Sequence, residues 1–141
     1  MANKDNNTPL INDSRELARA IVAVLIEKKA LDICMYSVAD ESSITDYYIN
    51  VTGRSSTQVG ALADEVTYKI SLLGRDELRV EGRSLNSWLL VDYGDVILNV
   101  FDRQSREYYN FDRLLPEGSI VNIDDIIKEV DKKLGIEEER Q

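Results

Sequence analysis

The sequence predicts an α/β fold that combines helices with about five short strands. Two observations carry this prediction. Several segments place apolar residues at helical spacing, and two apolar runs, 88–91 and 96–101, are joined only by Asp92-Tyr-Gly-Asp95. A link of this length and composition is typical of a tight hairpin, so the two runs form an antiparallel pair. Both faces of the pair are largely apolar, and we therefore expect helices or a partner protein over each face.

The amino-terminal part of the chain predicts a tail and a first helix. Residues 1–12 are polar and predict a disordered tail. Asp13 and Glu16 have the spacing of a capping box, and apolar residues then recur at helical intervals as far as Lys28-Lys29. The two lysines suit the negative end of a helix dipole, so the first helix ends near them.

Two strands and a second helix follow. The runs 32–38 and 46–52 are rich in isoleucine, valine and tyrosine, which favours strands. The second run leads into Gly53-Arg-Ser-Ser56, where the glycine permits a left-handed backbone and Ser55 is positioned to cap a helix. Apolar residues at helical spacing continue this helix to Gly74, which ends it.

The rest of the chain predicts three strands and a terminal helix. Arg79-Val-Glu81 is the third strand, and the hairpin supplies the fourth and fifth. Residues 106–115 suit a short helical turn or an arm that packs back on the sheet, and Pro116-Glu-Gly118 interrupts them. Apolar residues from Ile123 onwards predict a terminal helix, followed after Gly135 by a solvated acidic tail.

Composition narrows the class of protein. A chain of 141 residues is one domain that needs no disulfide or metal, and its single cysteine, Cys34, favours a reducing compartment. The absence of histidine removes the usual partner of a reactive thiol or serine and the commonest transition-metal ligand. No stretch has the length of a membrane span, and the amino terminus lacks a signal or transit pattern. We expect a soluble, cytosolic protein from a bacterium.

The formal net charge of −9 bears on the choice of partner. Nucleic acid binding rewards clustered lysine and arginine, so this charge speaks against non-specific nucleic acid binding. A basic protein surface is the better electrostatic partner. Excess acid also keeps a cytosolic protein soluble, and composition alone leaves both interpretations open.

The Gly53-Arg-Ser-Ser56 turn is the first candidate site. Backbone N–H groups at the start of a helix can hold a phosphate, although the pattern favours a strand-to-helix turn with a serine cap. A strand, turn and helix of this kind also occur in nucleotidyltransferases, which need two or three carboxylates to hold divalent metals. The strand after the helix offers Glu81 alone, and Asp92 and Asp95 are poorly spaced for one metal. The sequence therefore predicts no catalytic residue, no metal site and no cofactor.

A protein-binding surface is the other candidate. Four large apolar residues lie on or beside strands with acidic neighbours, and aromatic anchors surrounded by charge are typical of interface hot spots. The same aromatics are equally consistent with a core and a solvated acidic rim. The residues concerned are Trp88, Leu90, Tyr93 and Phe101, with Glu81, Asp92, Asp95 and Glu107 around them.

Several short motifs, in order along the chain, resemble those of the ribosomal silencing factor family, also called Iojap-like. They are Thr45-Asp-Tyr47, Thr52-Gly-Arg-Ser-Ser56, Arg79-Val-Glu-Gly82, the hairpin from Trp88 to Phe101, and Arg106-Glu-Tyr-Tyr109. On this resemblance the chain divides into a tail (1–12), a ribosomal silencing factor domain (13–115) and a carboxyl-terminal helix with an acidic tail (116–141).

The resemblance implies a three-layer α/β/α fold with a mixed sheet, related to nucleotidyltransferases but without their catalytic carboxylates. It implies a non-enzymatic translation repressor that binds ribosomal protein L-fourteen on the large subunit and blocks association with the small subunit when nutrients are scarce. Partner binding then falls to Trp88, Leu90, Asp92 and Phe101, with Glu81, Tyr93 and Asp95 as further members. The alternative is a nucleotidyltransferase-like enzyme or nucleotide-binding protein that uses the turn at 53–56.

The chain departs from the family at one position. The family usually has histidine between two valines where this chain has Asn99, and asparagine can replace a hydrogen bond but does not titrate. Members of the family also form dimers in crystals, so the resemblance allows a homodimer through the same part of the sheet.

Overall fold

The structure is a computed structural model that describes residues 11–40 and 44–139, with side chains of the last helix described as far as residue 135. Most of the predicted tail at 1–12 lies outside the described residues. The helices are α1 (Ser14–Glu27), α2 (Ser56–Leu72), α3 (Arg103–Tyr109) and α4 (Asp124–Glu139), and a 3-10 turn spans Phe111–Leu114. The strands are β1 (Leu31–Ser37), β2 (Tyr47–Gly53), β3 (Arg79–Glu81), β4 (Trp88–Asp92), β5 (Val96–Asp102) and β6 (Ile120–Val121).

All six strands form one mixed sheet in the order β3-β4-β5-β2-β1-β6. The central pair, β2 and β5, is parallel, with Asn50 opposite Asn99, and the other pairs are antiparallel. The α/β class, the mixed sheet and the β4–β5 hairpin are thereby confirmed. The sequence missed β6, because a strand of two residues is too short to show alternation.

The helix starts follow the predicted capping chemistry. The Asp13 carboxylate accepts a hydrogen bond from the Arg15 backbone N–H at 2.9 Å, and the Ser55 hydroxyl accepts one from the Gln58 N–H at 3.1 Å. The structure does not use the left-handed backbone that the sequence analysis associated with Gly53, because the φ angle of Gly53 is not positive. Glycine is required there by space, because a Cβ would lie 2.9 Å from Cγ2 of Val59.

Helices α1 and α2 cover one face of the sheet, which we call the helix face. The fully buried sheet residues on this face include Ile49, Val51, Leu89, Val91, Val96, Leu98 and Val100, and they pack with Leu17, Ile21 and Leu25 of α1 and Val59, Val66 and Ile70 of α2. Among the described residues, the other face is covered only in part, by α3 and the 3-10 turn. Helices therefore lie on both sides of the sheet, as the three-layer prediction requires, but they cover the two sides very unequally.

The carboxyl-terminal segment packs on the same body. Strand β6 pairs with β1, and α4 packs on α1, where Ile126 joins the core and Arg19 contacts Asp125 at 2.6 Å. Helix α4 continues past Gly135, where the sequence predicted a tail. The division of the chain at residue 115 stays a prediction. Within 11–40 and 44–139, no helix is long and apolar enough to cross a membrane.

Candidate functional site

The sheet face opposite α1 and α2 is the candidate site, and we call it the open face. Alternation along the strands and the registers between them decide which side chains it carries. They are Trp88, Leu90 and Asp92 from β4, Ile97, Asn99 and Phe101 from β5, Tyr48, Asn50 and Thr52 from β2, and Cys34 and Tyr36 from β1.

Trp88 lies at the centre of an aromatic cluster on the open face. Its ring centroid is 4.9 Å from that of Phe101, 4.9 Å from that of Tyr109 and 6.0 Å from that of Phe111. Phe101 is fully buried, whereas Trp88 is half-buried and Tyr109 is 51% exposed. Aromatic pairs of this kind add about 0.5–1.5 kcal/mol to the burial of their surface. Phe101 therefore supports the cluster from inside, and Trp88 and Tyr109 present it to solvent.

Two buried amides run from Trp88 towards the centre of the sheet. The indole N–H of Trp88 donates to Oδ1 of Asn99 at 2.9 Å, and Nδ2 of Asn99 donates to Oδ1 of Asn50 at 3.1 Å. Asn99 and Asn50 are at most 1% exposed. We call these three residues the amide relay, and Asn99 thus makes a hydrogen bond in each direction.

An ion pair fastens α3 and the 3-10 turn to the open face. Arg106 donates from Nε and Nη2 to the two carboxylate oxygens of Asp112 at 2.8 and 3.0 Å, and from Nη1 to Oγ1 of Thr52 at 3.0 Å. The Tyr36 hydroxyl also donates to Asp112, at 2.6 Å. Burial by itself would raise the pKa of Asp112, but the hydrogen bonds from Arg106 and Tyr36 outweigh it and hold that pKa below its usual value. The carboxylate is therefore held in its charged form.

The acidic residues of the predicted site are paired with arginines. Arg79 contacts Glu81 at 2.7 Å and Asp92 at 3.1 Å, and Asp95 contacts Arg75 at 2.5 Å. Asp92 also accepts a hydrogen bond from the backbone N–H of the hairpin glycine at 2.7 Å. Because Arg79 pairs with both Glu81 and Asp92, these three residues give the β3 edge a net charge of −1. The edge is therefore less acidic than the sequence alone indicates.

Of the seven predicted binding residues, the structure brings five together and leaves two apart. Trp88, Leu90, Asp92, Glu81 and Phe101 share the open face or its β3 edge. Tyr93 points to the helix face, is 2% exposed, and its hydroxyl has no hydrogen-bond partner among the described residues. Burial raises the pKa of this hydroxyl. Asp95 lies in the hairpin turn, off the open face, and pairs with Arg75.

The Gly53-Arg-Ser-Ser56 turn uses its polar groups internally. Ser55 accepts from the Gln58 N–H, and the side-chain oxygen of Gln58 accepts from the Arg54 N–H. The guanidinium group of Arg54 donates to the carbonyl oxygen of Lys29 at 2.8 Å. Nothing in this geometry favours a phosphate over the capping role. Among the described residues, no three cysteine or carboxylate side chains come together as metal ligands.

The sequence reasoning missed the roles of Arg106, Asn99 and Tyr109 on the open face. Arg106 and Tyr109 belong to the Arg106-Glu-Tyr-Tyr109 motif of the resemblance, and that membership could have indicated that they contribute to the site. Asn99 had another signal, since a polar residue inside the apolar run 96–101 is expected to have a buried hydrogen-bond partner. In each case the partner comes from another element, so the pairing itself could not be read from spacing.

Comparisons with known proteins agree with the resemblance. The family model described as "Ribosomal silencing factor during starvation" matches residues 11–141. The chain is 33% identical over 102 residues to ribosomal silencing factor RsfS of Zymomonas mobilis, covering 72% of this chain and 77% of that one. It is 36% identical over 99 residues to RsfS of Haemophilus influenzae, covering 67% and 97%. A crystal structure of a Chromobacterium violaceum protein superposes with a TM-score of 0.71 at 32% identity, covering 73% of this chain and 86% of that one.

Proposed function

The chain belongs to the ribosomal silencing factor family, and on that premise we propose that it binds ribosomal protein L-fourteen on the large ribosomal subunit and blocks association with the small subunit. It acts in the bacterial cytoplasm and silences translation under nutrient limitation. Its action is steric occupation of a surface, so it requires no catalytic residue and no cofactor.

The observation that carries this proposal is the unequal cover of the sheet. On β4, Leu89 and Val91 are fully buried by helices, while their neighbours Trp88 and Leu90 are only half-buried on the open face. A half-buried tryptophan on rigid strands, beside exposed aromatics of α3, has the composition and rigidity of an interface hot spot. We assign direct contact with the partner to Trp88, Leu90 and Glu81, with Asp92 at the margin and Phe101 supporting Trp88 from below.

Charge supports the same choice of partner. Ribosomal proteins must neutralise RNA phosphates and are correspondingly basic. A chain with a net charge of −9 is attracted to such a surface at long range, and the β3 edge adds a local charge of −1 beside Trp88. The open face supplies the apolar contact once the two surfaces meet.

A homodimer through the open face is part of the proposal. The same exposed aromatics would be buried by a second copy, and a dimer of this kind would compete with ribosome binding. Self-association would then fall in any variant that removes Trp88, as ribosome binding does.

The first test is co-sedimentation with purified large subunits on a sucrose gradient, with and without added small subunits. The wild-type protein is expected to travel with the large subunit and to lower the joined-ribosome peak. Trp88→Ala should weaken binding by about 2 kcal/mol or more, because it removes the centre of the interface. Tyr68→Ala is the matched control, since Tyr68 is an aromatic residue of α2, away from the open face, that is 59% exposed.

Loss of fold is separated from loss of contact by a second pair of variants. Leu90→Ala removes apolar surface from the open face, and Leu72→Ala removes it from α2, where Leu72 is also exposed. Urea unfolding shows whether each variant is folded. The proposal is wrong if wild-type protein stays at the top of the gradient while subunits join normally, or if the folded Trp88 and Leu90 variants bind as the wild type does.

A further inference from the structure

The amide relay is built in a fixed direction. The tryptophan indole has a donor and no acceptor, so Asn99 must turn its oxygen towards Trp88. Its nitrogen then faces Asn50 and needs an acceptor, which is Oδ1 of that residue. Each amide therefore has one orientation that satisfies the other. Since both side chains are buried, the reverse orientation would leave polar groups without partners inside the protein.

The relay ends near the ion pair that holds α3. Nδ2 of Asn50 has no hydrogen-bond partner among the described residues, although the Asn50 amide contributes to the lowered pKa of Asp112. Asp112 in turn binds Arg106. The hydrogen bonds of the relay thus run from the half-buried indole as far as Asn50, and a separate ion pair holds the element that carries Tyr109.

The aromatic contacts do not by themselves choose an orientation of the indole. An indole rotated by about 180° about its Cβ–Cγ bond could still stack on Phe101, because ring stacking tolerates such a rotation. The flipped ring would turn Nε1 away from Asn99 and leave a buried acceptor unpaired. The hydrogen bond to Asn99 favours the observed orientation, and the two orientations present different edges of Trp88 to a partner.

We propose that Asn99 is a positioning residue that, through its bond to Asn50, selects one orientation of the Trp88 indole and so shapes the binding surface. This inference rests on the proposed function for its effect on ribosome binding, but its effect on the indole can be measured on the free protein. The chain has a single tryptophan and seven tyrosines, so fluorescence excited selectively at the indole reports the environment of Trp88 alone.

The principal variant is Asn99→Leu, which keeps the approximate volume and removes both hydrogen bonds. Its tryptophan emission is expected to shift and to become more accessible to acrylamide quenching, and its near-ultraviolet circular dichroism to weaken. Affinity for large subunits should fall about tenfold, the effect of losing one or two hydrogen bonds that order a hot-spot residue. Ser119→Ala is the matched control, because the Ser119 hydroxyl is also in a buried residue but donates to the Pro116 carbonyl oxygen and not to Trp88 or to an element that contacts it.

A second variant, Asn99→His, keeps the test decisive if the leucine variant does not fold. A neutral imidazole can accept from the indole at one nitrogen and donate to Asn50 from the other, whereas a protonated one can only donate. Wild-type fluorescence and binding should therefore return near pH 8 and be lost below about pH 6. Asp112, Arg106 and Tyr36 lie on the same face, and the wild-type pH scan controls for their titration.

The outcomes separate this inference from the proposed function. A fluorescence change in Asn99→Leu with weaker binding, and a pH-dependent Asn99→His signal, support both. Unchanged fluorescence in the folded leucine variant, or changed fluorescence with undiminished binding, overturns the positioning role and leaves the proposed function intact. Wild-type protein that fails to bind large subunits overturns the proposed function, and the fluorescence of the free variants then still decides whether Asn99 orients the indole.

Discussion

The helix face and the open face are made by the same strands but are held together by different forces. Leu89 and Leu98 on the helix face are apolar, fully buried and packed under two long helices. The open face buries Asn50, Asn99 and Thr52 instead, and each of these makes a directed hydrogen bond. Burial of apolar side chains depends less on the exact orientation of each group, and it contributes mainly to the free energy of unfolding. Directed hydrogen bonds contribute less energy and fix the positions of particular groups.

The comparison indicates a division of labour within one sheet. We expect the helix face to contribute most of the free energy of unfolding, because its buried residues are apolar. The open face instead buries polar groups, whose hydrogen bonds fix the orientation of side chains at its surface. Substitutions on the two faces should consequently separate stability from binding, even when they are adjacent in sequence.

Leu89→Ala and Leu90→Ala give the largest expected contrast. Leu89→Ala leaves a cavity under the helices and should lower the free energy of unfolding by about 2–5 kcal/mol. Leu90→Ala, one residue away, should cost less than about 1.5 kcal/mol because Leu90 is only half-buried. Urea unfolding followed by far-ultraviolet circular dichroism measures both. Equal losses would mean that the open face is also packed as a core.

Asp112→Asn tests the ion pair of the open face. The substitution keeps the shape and leaves Arg106, whose side chain is 15% exposed, without its carboxylate partner. We expect the free energy of unfolding to fall by about 2–3 kcal/mol, as for the loss of a charged hydrogen bond in a largely buried site. Asp64→Asn is the control, since Asp64 pairs with Arg83 at the surface and should matter by less than about 0.5 kcal/mol.

The same ion pair predicts a response to acid. The pKa of Asp112 is lower in the folded protein than in the unfolded chain, so its stabilising effect is complete above the unfolded value near about 4. That effect is lost as the pH falls through the folded pKa, because the unfolded chain binds the proton first. The free energy of unfolding should therefore drop more steeply below about pH 4 in the wild type than in Asp112→Asn. Parallel curves for the two proteins would contradict the assignment.

Arg79→Ala is expected to have the smallest effect on stability. Exposed ion pairs contribute about 0–1 kcal/mol, so unfolding should hardly change. The substitution frees the carboxylates of Glu81 and Asp92, and association with large subunits should become faster and more sensitive to salt. Stopped-flow association rates over a series of salt concentrations measure this. Slower association would indicate that Arg79 itself contacts the partner.

How far the sequence predicted this molecule depends on the range of the interaction. The hairpin and the starts of α1 and α2 were predicted because alternation, turn composition and capping act within a few residues. The pairing of Arg106 with Asp112 and Thr52, and of Trp88 with Asn99, depends on which elements meet, and spacing does not contain that information. Tyr93 illustrates the limit, since its chemistry placed it among the candidate binding residues although it lies on the face of the sheet away from Trp88.

The attachment of β6 and α4 to β1 and α1 has a consequence for synthesis of the chain. Strand β1 can be paired on both edges only after β6 has been synthesised, because Met35 and Tyr36 pair on that side with residues 120–121. A product truncated near residue 115 would expose the unpaired edge of β1, which is a template for pairing with other chains. Incomplete copies should therefore aggregate or be degraded, and finished copies alone would accumulate.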